Sequence, residues 1–182
     1  MERIAKDKLF YNKCEVLANT IVSLQPLYLD DSNDKRQKAY IETLIGAGLW
    51  YLSKGIWTGN ISVNALELFL PGSGENKPKY TEDHEYPRKI SGMKLLKRDW
   101  SGDTDITDSL IELFQSKYGK VNYVTKNENS RLTKFQRADV FISPMDAYEK
   151  AGIVLVKITD AELIKVKQRN GQTIEHLIKR RS

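Results

Sequence analysis

Apolar residues recur at helical spacing twice in the first third of the chain, and this double pattern restricts the fold more than any other feature. In "LFYNKCEVLANTIVSLQPLY", Leu9, Cys14, Leu17, Ile21 and Leu24 share one helical face. Pro26 is expected to stop this helix, because proline lacks an amide donor and disfavours a helical residue before it. In "LDDSNDKRQKAYIETLIGAGLWYLSKGIW" the stripe is Ile41, Leu44, Ile45, Leu49 and Leu52, with Asp31, Ser32 and Asn33 as candidate N-caps. Gly46 and Gly48 weaken such a helix, so close packing against a neighbour is the expected reason for them. Trp50, Tyr51 and Trp57 lie on or beside it and are expected to pack between helices rather than stack on bases. A chain of 182 residues with this start suits one domain, or one core with an appended subdomain.

Further along, "SVNALELFLPG" reads as a third, short helix ending at Pro71 and Gly72. "GSGENKPKY", Gly72 to Tyr80, shifts to loop composition and marks the main internal boundary. "SGMKLLKRDW" and "TDITDSLIELFQSKYG" predict helices, the second with Thr107 or Asp108 as cap and Gly119 as stop. "KVNYVT" is β-branched and aromatic, hence a strand, and "KNENSRLTKFQRA" returns to helix. "SPMDAYEKAGIVLV" predicts a turn, a short helix with Tyr148 as a packing residue, and a buried strand. "AGIVLVKIT" reads equally as that strand or as the start of a helix through "DAELIKVKQ". "QTIEHLIKRRS" is a short basic helix that leaves His176 on its surface or last turn. The expected class is α+β, mostly helical, with regions 1–75, 76–140 and 141–182.

Several chemistries are disfavoured by composition. The single cysteine, Cys14, cannot form an internal disulfide and reads as a buried thiol. Without a C-x-x-C pair, a cysteine zinc site is not expected. The N-terminus carries charges throughout, and no run approaches the about 18 apolar residues of a membrane span. A soluble, intracellular protein is the expectation. The net charge of +5 permits attraction to a polyanion without proving it.

Chemistry concentrates in "TEDHEYPRK", Thr81 to Lys89. Hydrolysis of a phosphodiester requires a base to activate water and a way to neutralise charge on the phosphate and leaving oxygen. Histidine, with an unshifted pKa near neutrality, suits the first task. A hard divalent cation on oxygen ligands suits the second. "EDHEYP" supplies an acid, Asp83, beside a histidine, His84, and adjacent residues of an extended segment address opposite sides. Pro87 would end that strand. In "VNYVTKNENS" a strand runs into a helix, and Asn129 near its start could offer a neutral oxygen to a metal. Asn122, placed before the strand, could tie a loop through its amide. Asn122, Asn127 and Asn129 also read as ordinary cap and turn residues, and a histidine beside an acid is often plain surface.

"DHEYP" followed by "VNYVTKNENSRLTKFQ" resembles the HNH, or ββα-metal, nuclease family over about Tyr80 to Gln136. The resemblance implies that Asp83 is the metal-binding acid, His84 the general base, Asn129 the last metal ligand, and Asn122 an approximate match to the central structural asparagine. It implies N-terminal helices packed with a ββα-metal motif that carries a helical insertion, "ISGMKLLKRDWSGDTDITDSLIELFQSKYG", between its strands. It also implies Mg²⁺ or Mn²⁺ as cofactor, DNA as substrate, and a cytoplasmic setting in a bacterial or phage-infected cell.

Basic residues surround these segments. Arg88 and Lys89 follow the histidine, Lys94, Lys97 and Arg98 lie on the insertion, and Arg131, Lys134 and Arg137 follow Asn129. In a nuclease they would hold phosphates at the cut, Arg88 as a catalytic residue beside His84 and Lys89, Lys94, Arg131 and Lys134 as nucleic-acid contacts; otherwise they form a solvated face. A homodimer would place one site on each DNA strand. The competing functions are a ribonuclease of toxin or defence type, and a non-catalytic nucleic-acid-binding protein with a nuclease-like fold.

Overall fold

The computed structural model describes residues 7–74 and 78–180. The chain forms two compact units, each built from two separate stretches: 1–56 with 86–120, and 57–85 with 121–182. The expected boundary at 75/76 falls on residues 75–77, outside the described residues. No described helix is long and apolar enough to cross a membrane.

The first unit is helical. Helix α1 spans Lys8–Leu29 and is capped by the Asp7 carboxylate, which accepts from the Leu9 and Phe10 amides. Pro26 lies inside α1 rather than ending it. Tertiary contacts outweigh the lost donor: Tyr28 is buried with its hydroxyl donating to Glu42 at 2.8 Å, and the Gln25 amide donates to the carbonyls of Leu96 and Arg98. Helix α2, Lys35–Trp50, is capped by Asp34, beyond the three residues expected from the sequence. Its carboxylate reaches the Arg36 and Gln37 amides, which an earlier cap could not do.

The insertion completes this unit. Strand β1 (Ile56–Ser62), helix α3 (Val63–Glu67) and strand β2 (Thr81–His84) of the second unit intervene in sequence, after which helix α4, Arg88–Leu96, packs on α2. Helix α5, Ile106–Leu113, is capped by Asp105 and continues as a π-helical turn, Phe114–Tyr118. Phe10, Cys14, Ile21, Ile45 and Leu49 share one core with Leu95, Trp100, Leu110 and Phe114. The N-terminal helices and the insertion thus bury each other's apolar faces. Burial pushes the Cys14 thiol up to about 11, so it is an inert core group.

Gly46 and Gly92 meet where α2 crosses α4. A Cβ on Gly46 would lie 2.1 Å from the Arg88 carbonyl oxygen, and one on Gly92 would lie 2.1 Å from that of Glu42. The close packing expected of Gly46 is therefore present. Gly92→Ala is expected to destabilise the protein. Alanine favours a helix interior by about 1 kcal/mol over glycine. Forcing two backbones apart costs roughly 1–3 kcal/mol or more. Circular-dichroism melting should show a lower midpoint, whereas a midpoint raised by the substitution would contradict this packing.

Two expectations for this unit change. Leu44 is 45% exposed, outside the buried stripe, and Trp50 and Tyr51 are 45% and 78% exposed. Trp50 ends α2 and the Arg88 guanidinium covers its ring, 4.7 Å from the centroid, while Leu44 and the C-cap residue Tyr51 face α1, whose Lys13 donates to the Tyr51 carbonyl at 3.0 Å. Between α1 and α2 runs an apolar groove of about 460 Å³ lined by Val16, Leu17, Leu44 and Leu52. It gathers no acid or histidine and offers no hydrolytic chemistry.

The second unit is a four-stranded sheet with helices. Strand β1 is Ile56–Ser62, helix α3 Val63–Glu67, strand β2 Thr81–His84 and strand β3 Lys120–Val124. Helix α6, Lys126–Leu132, follows β3 directly; helix α7 is Pro144–Lys150 and strand β4 Leu155–Lys157. Helices α8, Asp160–Lys167, and α9, Gly171–Lys179, close the chain. The sheet order is β2-β3-β1-β4, with β2 antiparallel to β3 and β4 antiparallel to β1. Trp57 sits on β1, a strand the sequence reading assigned to the end of a helix, and stacks on Tyr123 of β3. One face of the sheet carries Ile61, Val156 and Tyr123 under α3, α8 and α9. The other carries Val124 and Leu155 with Leu132, Ala147 and Tyr148 of α6 and α7.

Candidate functional site

Strand alternation sets the site. In the β2–β3 register Asp83 faces Asn122 and His84 faces Val121. Cross-strand partners share a face, so Asp83 and Asn122 point to one side and His84 to the other. Asn122 lies within β3, not before it as the sequence suggested.

Asp83 is 5% exposed and firmly oriented. Gln136 donates to its Oδ1 at 3.0 Å and its Oδ2 at 3.3 Å, and the buried Tyr148 hydroxyl donates to Oδ2. Asn122 is 1% exposed and ties β3 to β1 and to Glu85 just past β2: its Oδ1 accepts from the Thr58 hydroxyl and, at 3.2 Å, from the Asn60 amide, and its Nδ2 donates to Glu85 at 3.3 Å. Asn60, Glu85, Asn122 and Tyr148 line a cleft of about 250 Å³ beside Ser143 and Met145. A buried polar cluster that opens onto a cleft is the arrangement expected of a working site.

The electrostatics follow from burial. Burial pushes the Asp83 carboxyl above its ordinary 3.8, only partly opposed by the hydrogen bonds from Tyr148 and Gln136, and the Glu85 charge adds to the rise. Burial likewise raises the Tyr148 phenol, with the Asp83 charge next, so Tyr148 stays a donor. His84 is half-buried, and burial alone holds its imidazole below 6.5. It is therefore neutral at pH 7 and able to take a proton.

Asn129 is placed by a capping box. The Thr125 hydroxyl accepts from the Glu128 amide at 3.1 Å while Glu128 accepts from the Thr125 amide at 2.8 Å. Glu128 is buried and also takes the Ser62 hydroxyl at 2.6 Å, which ties the start of α6 to β1. Asn129 follows in the next position, half-buried, and its carboxamide has no hydrogen-bond partner among the described residues.

The donor chemistry fits a hard cation sparingly. Among the described residues no three His, Cys, Asp or Glu side chains converge as a metal cage. A carboxylate offers about four acceptor positions, of which Gln136 and Tyr148 use three on Asp83. One carboxylate oxygen and one neutral amide oxygen match the sparse protein ligation typical of Mg²⁺, which keeps waters and takes substrate phosphate oxygens.

The remaining expected residues divide between the units. Arg88, Lys89 and Lys94 belong to the first unit: Arg88 covers Trp50, Lys89 pairs with Glu42 at 3.6 Å, and Lys94 lies over the Tyr86 ring. Arg98 pairs with Asp103 at 3.0 Å and Arg137 with Asp139 at 3.6 Å. Arg131 and Lys134 are exposed and have no ion-pair partner among the described residues. His176 is exposed in the last turn of α9, as expected.

Sequence reasoning missed Glu85, Gln136, Thr58 and Asn60, and took Tyr148 for packing alone. Glu85 was within reach, since it lies two residues after Asp83 on the same face of an extended segment. Tyr148 and Thr58 lie 65 and 64 residues from their partners and carried no local signal. Comparison with protein-family models, with curated proteins and with solved structures gives no match to this chain.

Proposed function

We propose that this protein is a metal-dependent endonuclease of HNH type that hydrolyses phosphodiester bonds in DNA. The observation that carries the reading is the order of parts around Asp83: two antiparallel strands, then a helix whose capping box sets Asn129 just beyond the second strand.

In this reading His84 takes a proton from the attacking water at a ring nitrogen, and burial has already made that nitrogen free of charge. Asp83 and Asn129 would hold one Mg²⁺ or Mn²⁺. Bound there, the ion would supply charge neutralisation at the scissile phosphate and leaving oxygen. Tyr148 and Gln136 position Asp83, and Asn122 holds β1, β3 and Glu85 in register. Arg131 and Lys134 on and after α6 contact phosphates flanking the cut.

Purified protein incubated with supercoiled plasmid should nick or cut it with Mg²⁺ or Mn²⁺, and EDTA should abolish the reaction. Cleavage of RNA with DNA untouched would move the substrate to RNA. DNA binding without cleavage under either ion would leave a binding protein and overturn the enzymatic reading.

A further inference from the structure

Helices α1 and α2 of the first unit present an exposed apolar face around the groove between them. On α2 it is carried by Tyr40, by Leu44 one turn later and by Tyr51 two turns beyond that, so the three share one side of the helix. On α1 it is carried by Val16, which lines the groove, and by Leu27, three turns further along the same side. Val16 is 66%, Leu27 40% and Tyr40 69% exposed, beside Leu44 and Tyr51.

The size of this face is that of half a dimer interface. A valine or leucine side chain carries roughly 60–120 Å² and a tyrosine roughly 150–250 Å². At the observed exposures the five residues show roughly 450 Å² together. One partner of a standard interface contributes about 800 Å², of which about 56–65% is apolar, or roughly 450–520 Å². The composition fits as well. Lys13 is the one charged residue lining the groove, and its Nζ donates to the Tyr51 carbonyl at 3.0 Å. A charge-poor, tyrosine-rich surface is that of an interface core, and it offers a highly charged partner nothing to pair with.

The shape is self-complementary. A Cβ on Gly48 would lie 2.6 Å from the Leu17 Cδ1, so the bare backbone there keeps the floor of the groove open. The same face thus carries a groove of about 460 Å³ and a row of projecting side chains, Tyr40, Leu44 and Tyr51. We propose that two copies of this chain associate through this face about a two-fold axis, with α1 and α2 of each copy forming a four-helix layer. The row on α2 of each copy enters the groove of the other, and the two-fold makes both insertions at once. A peptide helix from another protein would fill the groove but bring no groove of its own for the row. The pairing uses no residue of the proposed nuclease site.

Sedimentation equilibrium in EDTA without nucleic acid, from about 1 to about 100 μM, tests the pairing. The mass at the upper end should be twice the 20.9 kDa of one chain. Val16→Glu and Tyr40→Glu each set an unpaired charge in the apolar face and should weaken the dimer at least about 100-fold. Both positions are exposed in the single chain, so circular dichroism should show the wild-type fold. Ile142→Glu, at a comparably exposed apolar residue of the second unit, should leave the mass unchanged. Raising salt from about 50 to about 500 mM should not weaken the dimer, because apolar contact is not screened while the repulsion between two copies of charge +5 is. A single-chain mass at about 100 μM, a dimer unmoved by both variants, or one that dissociates in salt would overturn the pairing.

Discussion

His84→Ala is expected to lower the rate of Mg²⁺-dependent DNA cleavage by about 10²- to 10⁴-fold, the usual worth of a positioned general base. The folded state should be little affected, since His84 is half-buried at the end of a strand and is not a member of either apolar core of its unit. Circular dichroism checks this. The wild-type pH profile carries the sign. Burial lowers the imidazole pKa, so the base is already neutral at pH 7 and the rate should stay flat on acidification to about pH 6.5, where an unshifted histidine would be half protonated. The rate should fall below that, as His84 takes up a proton. The alanine variant should lack this limb. A variant that cleaves at the wild-type rate would remove His84 from the chemistry.

What was legible in the sequence was local. The strand into Asp83 and His84, the strand "KVNYV" and the helix after it are all short, and each is set by neighbours in the chain. Thr125 and Glu128 form a capping box recognisable three residues apart. The failures share a different cause. Pro26 was overruled by Gln25 and Tyr28, whose partners lie 71 and 14 residues away. Strand β1 was hidden because Gly59 and Asn60 interrupt its β-forming residues, and its strand state is supplied by pairing with Leu155, Val156 and Lys157. The oriented state of Asp83 was invisible for the same reason, since Tyr148 and Gln136 come from beyond the motif's strands. The length of the insertion has a physical reason, because its apolar residues share one core with α1 and α2.

Asp83→Asn separates what a residue does for chemistry from what it does for the fold. Cleavage is expected to drop by more than the about 10- to 100-fold typical of outer-shell changes around a metal, since the proposed site would lose its one carboxylate ligand. Stability at pH 7 in EDTA is expected to rise. The carboxyl pKa is raised in the folded state, chiefly by burial, so the folded protein prefers the protonated form. Asp83 therefore contributes stability below its unfolded pKa of about 3.8 that is lost as pH rises through the folded value. The uncharged amide does not incur this loss. Its oxygen can still accept from Gln136, and the Tyr148 hydroxyl can turn to accept from the new amide N–H. The melting midpoint of Asp83→Asn should thus exceed that of the wild type at neutral pH, with the difference vanishing near pH 3. Added Mg²⁺ should reverse the order, because an ion that binds only the folded wild type raises its midpoint and leaves the variant unchanged. A lower midpoint for the variant in EDTA at pH 7 would mean that the hydrogen bonds from Tyr148 and Gln136 outweigh the cost of burial. Asp83 would then be held in place for the fold rather than kept charged for a metal.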